Sequence, residues 1–355
     1  MKIIDTTIRD GSYAVDFKFS CKDVKDLVEK SRRIGIEYIE IGHGQGLNAS
    51  SDEHGFSLQS DEEYMDAARE VAGDCKLGMF CIPGIARIDD VRKAKEHGMD
   101  FLRIGVTVQG FNEARPFIDQ CKSEGLEVFV NFMKTPTALP KEFGEASANA
   151  YKSGARCVYI VDSAGSMSES DIGKYITAAR EKSDVELGFH GHNNMGLAVG
   201  NTIYCITEGM EFVDCTFQGL GRSLGNAPLE QVVMLLERKG YHTGFDLPRV
   251  LEYGYAGLRN IVSDKLVNPL DYMCGYAGFH SSFLKYIYKC SSEKNVDPLR
   301  LILAYSEENK LSMDYERLCE VADTLPKDMD DNPYSFGEYF SIRYKELPTS
   351  STENA

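Results

Sequence analysis

Eight times in its first 240 residues the chain repeats one pattern, a short apolar or β-branched run followed by a longer segment with helical spacing. No other feature restricts its fold as much. The runs are Ile3-Ile4, 38–41, 77–82, 101–104, 128–130, 157–161, 186–189 and 212–215. Between the first two lies DVKDLVEKSRRIG, which sets Val24, Leu27, Val28 and Ile34 on one face, with Ser20 before it as a cap and Gly35 after it as a stop. SDEEYMDAAREVAG opens with Ser60 and Glu63 at capping-box spacing, and FNEARPFIDQCKSEG and EQVVMLLERKG end on Gly125 and Gly240. Strands separated by helices pair in parallel, and eight such units in about 240 residues predict a closed (β/α)8 TIM barrel. The alternative, an open doubly wound sheet, would be expected to carry a G-x-G-x-x-G after its first strand, and none follows Ile4.

After Gly240 helical segments succeed one another without strands, as in LPRVLEYGYAGLRNIVS, HSSFLKYIYKCSSEK and DPLRLILAYSEENK. The expected organisation is a barrel over 1–244, a smaller helical C-terminal domain over 245–345 that contributes to the site, and a disordered tail over 346–355.

A net charge of −16 and a pI near 5.0 exclude a general nucleic-acid or anionic-membrane surface, leaving small molecules or proteins as partners. With no run of about 18 apolar residues and no secretory signal at MKIIDTTIRDGS, a soluble cytoplasmic protein is expected. The ten cysteines show no C-x-x-C pair and read as reduced, buried thiols.

In a parallel barrel the chemistry collects at the carboxyl ends of the strands. These ends carry Arg9 and Asp10, the stretch Gly42-His43-Gly44-Gln45, Arg103, Asn131, Asp162-Ser163, His190, His192 and Asn193, and finally Gln218, Arg222 and Asn226. His190 and His192, two apart on one strand, project to the same side. With Asp10 on the neighbouring first strand they compose a two-histidine, one-carboxylate set suited to a divalent cation, with manganese expected and magnesium, cobalt or zinc as alternatives.

The stretches DTTIRDG, GHGQGL, HGHNN and GLGRSLGN resemble a superfamily of metal-dependent aldolases and lyases whose barrels open on a D-x-T-x-R-D-G strand. Within it, GHGQGL, Ser50-Ser51, DSAG and YAGFHSSFL are similar to the 4-hydroxy-2-oxovalerate aldolases over residues 3 to about 320. The resemblance implies Asp10, His190 and His192 as metal ligands, Arg9 as the cation that stabilises an enolate, and Ser163 as a contact to the substrate carboxylate. It also implies a 2-oxo acid and an aldehyde as substrates. Its helical domain would dock an acylating aldehyde dehydrogenase or support a homo-oligomer. His43 and Gln45 in GHGQGL are the remaining expected substrate contacts.

Two departures exchange residue types. The aldolases read R-D-G-x-H where this chain has Tyr13, and YAG-x-YSSFL where it has His280. Imidazole titrates near 6.5 and phenol near 10, so His280 is the expected proton acceptor and Tyr13 the donor. Gln45 stands where the aldolases usually carry aspartate. Rival readings are an acyl-CoA-using synthase of the isopropylmalate synthase type and a non-catalytic binding protein on the same barrel.

Overall fold

In the computed structural model, described here for residues 1–262, 266–310 and 312–327, the eight runs are eight parallel strands closed in sequence order. They are β1 (Lys2–Asp5), β2 (Tyr38–Ile41), β3 (Lys76–Cys81), β4 (Phe101–Val106), β5 (Glu127–Phe132), β6 (Cys157–Asp162), β7 (Glu186–Gly191) and β8 (Phe212–Cys215). Pairing of β1 with β8, where Ile4 faces Asp214 in register, completes the ring.

Helices cover the outside, beginning with α1 (Cys21–Arg33), α2 (Asp61–Ala72), α3 (Ile88–Glu96) and α4 (Phe111–Ser123). α5 (Pro140–Ser153), α6 (Glu169–Arg180), α7 (Ala198–Thr207) and α8 (Leu229–Arg238) follow. The expected caps form: Ser20 and Ser60 each accept from the third helical amide, and Asp23 and Glu63 return the bond. Val24, Leu27 and Val28 on α1 are buried as the spacing requires.

The interior is layered by the two-residue period of the strands. Its floor is apolar and aromatic, with Tyr38, Phe101, Phe129 and Phe212 packed at 5.0–6.2 Å, Tyr38 on Phe101 tilted and the other pairs edge to face, in one cluster with Ile4 and Tyr159. Two residues further along the same strands stand Glu40, Arg103, Asn131 and Asp214, all buried. The strands thus lift a polar layer onto a dry floor.

The chain divides into two compact units, Met1–Leu236 and a second that starts at Glu237. In the second, α9 (Leu247–Leu258), α10 (Pro269–Ala277), α11 (Leu284–Lys294), α12 (Pro298–Glu308) and α13 (Tyr315–Asp323) follow one another without strands. The tail expected over 346–355, and the end of the helical extension from 328, lie outside the described residues. All ten cysteines carry free thiols, and among the described residues no helix is long and apolar enough to cross a membrane.

Glu230 on α8 is fully buried and accepts from the Gln218 amide at 2.9 and 3.1 Å and from its Nε2 at 3.3 Å. Burial outweighs these bonds and raises its pKa from 4.5 to about 8. The folded state therefore holds a proton that the unfolded chain releases near 4.5, and the contribution of Glu230 to stability falls as pH rises from about 4.5 to 8. The slope is at most about 1.4 kcal/mol per pH unit. Glu230→Gln is expected to remove this contribution, so that the stability of the variant relative to the wild type rises with pH across that range in urea unfolding; a difference that stays constant would refute the assignment.

Candidate active site and metal centre

The turn after β1 is set by Asp5, whose carboxylate accepts from Thr7 N at 2.8 Å, from Thr7 Oγ1 at 2.5 Å and from Ser31 Oγ at 2.5 Å. Thr7 Oγ1 in turn accepts from Phe217 N at 2.8 Å, which ties this turn to the loop after β8. DTT therefore builds the ledge from which Arg9 and Asp10 enter the barrel mouth.

Both side chains are buried and joined, Arg9 Nη1 to Asp10 Oδ1 at 2.7 Å. Arg9 Nε donates to Glu40 Oε2 at 2.8 Å, and Phe80 lies 5.0 Å beneath the guanidinium. The same Glu40 oxygen accepts from Arg103 Nη1 at 2.9 Å, Arg103 Nη2 donates to Asp214 Oδ2 at 2.6 Å, and that oxygen accepts from His190 Nδ1 at 2.8 Å. One chain of charge-assisted bonds thus runs from Asp10 to His190 inside the barrel. Burial alone would raise the Asp10 carboxyl, but Arg9 and then the two histidines hold it well below the usual carboxylate range.

His190 uses Nδ1 on Asp214, so its Nε2 is the nitrogen left for a ligand. His192 is buried, its Nδ1 lies 3.9 Å from Asp10 Oδ2, and that nitrogen has no hydrogen-bond partner. Burial lowers its pKa to about 4 and keeps the ring neutral. Asn226 Nδ2 donates to Asp10 Oδ2 at 2.5 Å while its buried Oδ1 has no partner. Donor atoms of Asp10, His190 and His192 all lie within 4.8 Å of one another. Stranded acceptors of this kind cost about 1–3 kcal/mol each unless something binds them, so the set fits a divalent cation.

Gly221 completes the cradle. A Cβ there would stand 2.5 Å from Asn226 Nδ2 and 2.9 Å from Asp10 Oδ2, so only glycine lets the loop close on the carboxylate.

The other expected residues divide. Tyr13 is half-buried over Gly44, where a Cβ would meet its ring at 2.4 Å, and burial raises its phenol pKa. His43 is buried beneath Phe17, with ring centroids 4.0 Å apart. Its Nδ1 accepts from Gln45 N at 3.1 Å, which puts the proton on Nε2, 3.2 Å from Gly55 O. Both His43 nitrogens are thereby used within the protein, and burial lowers its pKa to about 4. Gln45 is half-buried beside it. Ser163, at the end of β6, accepts from Lys134 N at 2.9 Å. His280 belongs to the second unit, where its Nδ1 caps a short 3-10 turn by accepting from Ser282 N at 3.2 Å.

Glu40 and Asp214 were not among the expected site residues. Their signal is a lone acid two positions after an aromatic in an apolar run, in YIEI and FVDC. Asn226 was gathered on the rim without a role, and its place beside Asp10 supplies one.

Residues 1–255 match the family model described as HMGL-like. An oxaloacetate decarboxylase of Mycobacterium tuberculosis is 40% identical over 70% of this chain and 74% of its own length. A 4-hydroxy-2-oxovalerate aldolase of Thermomicrobium roseum is 32% identical over 90% of each chain, and that of Thermus thermophilus 32% identical over 90% and 93%. Among solved structures, the HMG-CoA lyase of Brucella melitensis superposes with a TM-score of 0.62 at 19% identity over 71% of this chain and 95% of its own, a likeness of fold. The family match spans every strand of the barrel, and these curated relatives are named for breaking carbon–carbon bonds: the chain belongs to the HMGL-like family and is a carbon–carbon lyase.

Proposed function

We propose that the protein cleaves, or in reverse forms, the bond between C3 and C4 of a 4-hydroxy-2-oxo acid through a pyruvate enolate, with a divalent cation, manganese in our reading, held by Asp10, His190 and His192. The observation that carries this is the state of Arg9. Two of its nitrogens are pinned by Glu40 and by the ligand-set carboxylate of Asp10, and Nη2 donates to no acceptor among the described residues. When bound, the cation supplies a Lewis acid for the carboxylate and keto oxygens of the 2-oxo acid.

Arg9 Nη2 offers a fixed donor to the enolate oxygen as negative charge develops there, without any proton changing hands. Glu40 and Arg103 hold that guanidinium in place, and Asp214 holds His190 in one tautomer. Ser163 is the proposed contact to the substrate carboxylate, with His43 and Gln45 shaping the wall of the pocket. Removal of the C4 hydroxyl proton is assigned to His280 on the sequence pattern, and the buried phenol of Tyr13 stays protonated and donates. An acylating aldehyde dehydrogenase or a second copy at the C-terminal helices remains the proposed partner.

A second reading, decarboxylation of oxaloacetate, is favoured by the 40% identical relative of that name. It would produce the same enolate and would need no base for a hydroxyl. Both readings share one test. Metal-loaded protein is expected to exchange the methyl protons of pyruvate in D2O, followed by NMR, and an Asp10→Ala, His190→Ala, His192→Ala variant to lose both metal and exchange. Stoichiometric metal in the triple variant, or no exchange by the loaded wild type, would overturn the proposal; pyruvate release from 4-hydroxy-2-oxo acids against oxaloacetate separates the two readings.

A further inference from the structure

The charges inside the barrel mouth nearly cancel. Asp10, Glu40 and Asp214 face Arg9 and Arg103 in one buried chain of ion pairs, which leaves a single negative charge. A divalent cation turns that into a single positive charge, and the carboxylate of a 2-oxo acid cancels it. The inner site is thereby matched to a monoanion.

One cation of the same rim, without a carboxylate partner among the described residues, lies against the ring of Tyr13. Arg222 is exposed, has no ion-pair partner among the described residues, and lies 5.2 Å from the centre of the Tyr13 ring. A chain with 55 acids and 39 lysines and arginines could readily have supplied it with one. Its position is prepared. Gly221, the residue before it, backs onto Asp10, and Gly225 N returns to Arg222 O at 2.9 Å. Leu224 N donates to Asn194 Oδ1 at 3.2 Å and Asn193 N to Gly225 O at 2.8 Å, so the loop is fastened to the one that carries His192. The cation–π contact with Tyr13 restrains the guanidinium without neutralising it. Such a group, near a site that is otherwise balanced, draws an anion toward the mouth of a strongly acidic protein and holds it there.

We propose that Arg222, set over Tyr13, is a specificity-determining residue that binds a second carboxylate, so that the substrates are 2-oxo diacids carrying this group at C5 or beyond. This rests on the reading of the mouth as a 2-oxo acid lyase site. The aldehyde released by cleavage is then itself anionic.

Two ligands of equal length test it without turnover. 2-Oxoglutarate and 2-oxopentanoate differ only in a terminal carboxylate against a methyl group, and neither has a C4 hydroxyl to cleave. Titration calorimetry of the metal-loaded protein is expected to show 2-oxoglutarate binding at least about 10-fold more tightly. Arg222→Ala should bring the two Kd values within about twofold by weakening 2-oxoglutarate alone, and Arg222→Lys should keep part of the difference. A ratio near one in the wild type, a ratio that survives Arg222→Ala, or failure of the wild type to bind 2-oxoglutarate would each overturn the proposal. The lyase reading fails separately: if pyruvate methyl exchange is absent while the ratio and its loss stand, the mouth is a diacid-binding site without that chemistry.

Discussion

Arg103→Met is expected to lower the stability of the barrel by about 3–5 kcal/mol, the range for removing one partner from a buried, hydrogen-bonded ion pair. Arg103 is fully buried in the mid-barrel, with Glu40 on one side, Asp214 on the other and the Tyr159 ring 4.3 Å from its guanidinium. Burial by itself would favour the neutral form, but Asp214 and then Glu40 outweigh it and hold its pKa above the ordinary value. Methionine fills much of the same volume and leaves the two carboxylates without the cation they share, above an apolar floor, with Arg9 still paired to Glu40 and His190 to Asp214.

The pH dependence separates this cause from poor packing. In the variant Asp214 loses the charge that does most to hold its buried carboxyl below the ordinary value, and burial then raises it. Stability is then retained below about pH 4, where Asp214 is protonated in the folded and the unfolded chain alike, and is lost as pH rises. The deficit in denaturant unfolding should therefore be larger at pH 8 than at pH 5. A deficit under about 1 kcal/mol, equal at both pH values, would show that the ion-pair chain contributes little.

The second large effect is catalytic. Arg9→Lys is expected to lower kcat by roughly 10²-fold or more, about 3 kcal/mol of transition-state stabilisation, with metal content unchanged. Charge is kept, so the loss isolates geometry. The guanidinium reaches Glu40 through Nε and Asp10 through Nη1, and its planar fork still presents Nη2. An ammonium on a flexible stem cannot hold both carboxylates at these separations and keep a donor fixed on a third atom. The rate of pyruvate methyl exchange and the bound metal, measured on one preparation, check this. An unchanged rate would make Arg9 a structural ion-pair partner only.

Much of this was legible in the chain because it depends on local spacing. The two-residue period of the strands and the caps at Ser20 and Ser60 act within a few residues, and the repeat of strand and helix leaves parallel closure as the economical arrangement. H-x-H after an apolar run places His190 and His192 together for the same reason. What the sequence could not convey is where residues far apart in the chain meet. Glu40 and Asp214 each look like an isolated charge in an apolar run and Arg103 was read at a strand end, whereas β4 runs on to Val106 and sets it mid-barrel; only the register of β2, β4 and β8 around a closed ring brings the three to one level and joins them through shared oxygens. Gly221 becomes necessary only when the loop after β8 closes on Asp10, 211 positions earlier in the numbering. Arg222 was gathered on the rim from the sequence; only the fold shows that it lies against Tyr13 and that, among the described residues, no acid pairs with it. Spacing along one element is a property of the chain, whereas the pairing of charges across a barrel depends on which strands end at the same height, and tertiary structure alone decides that.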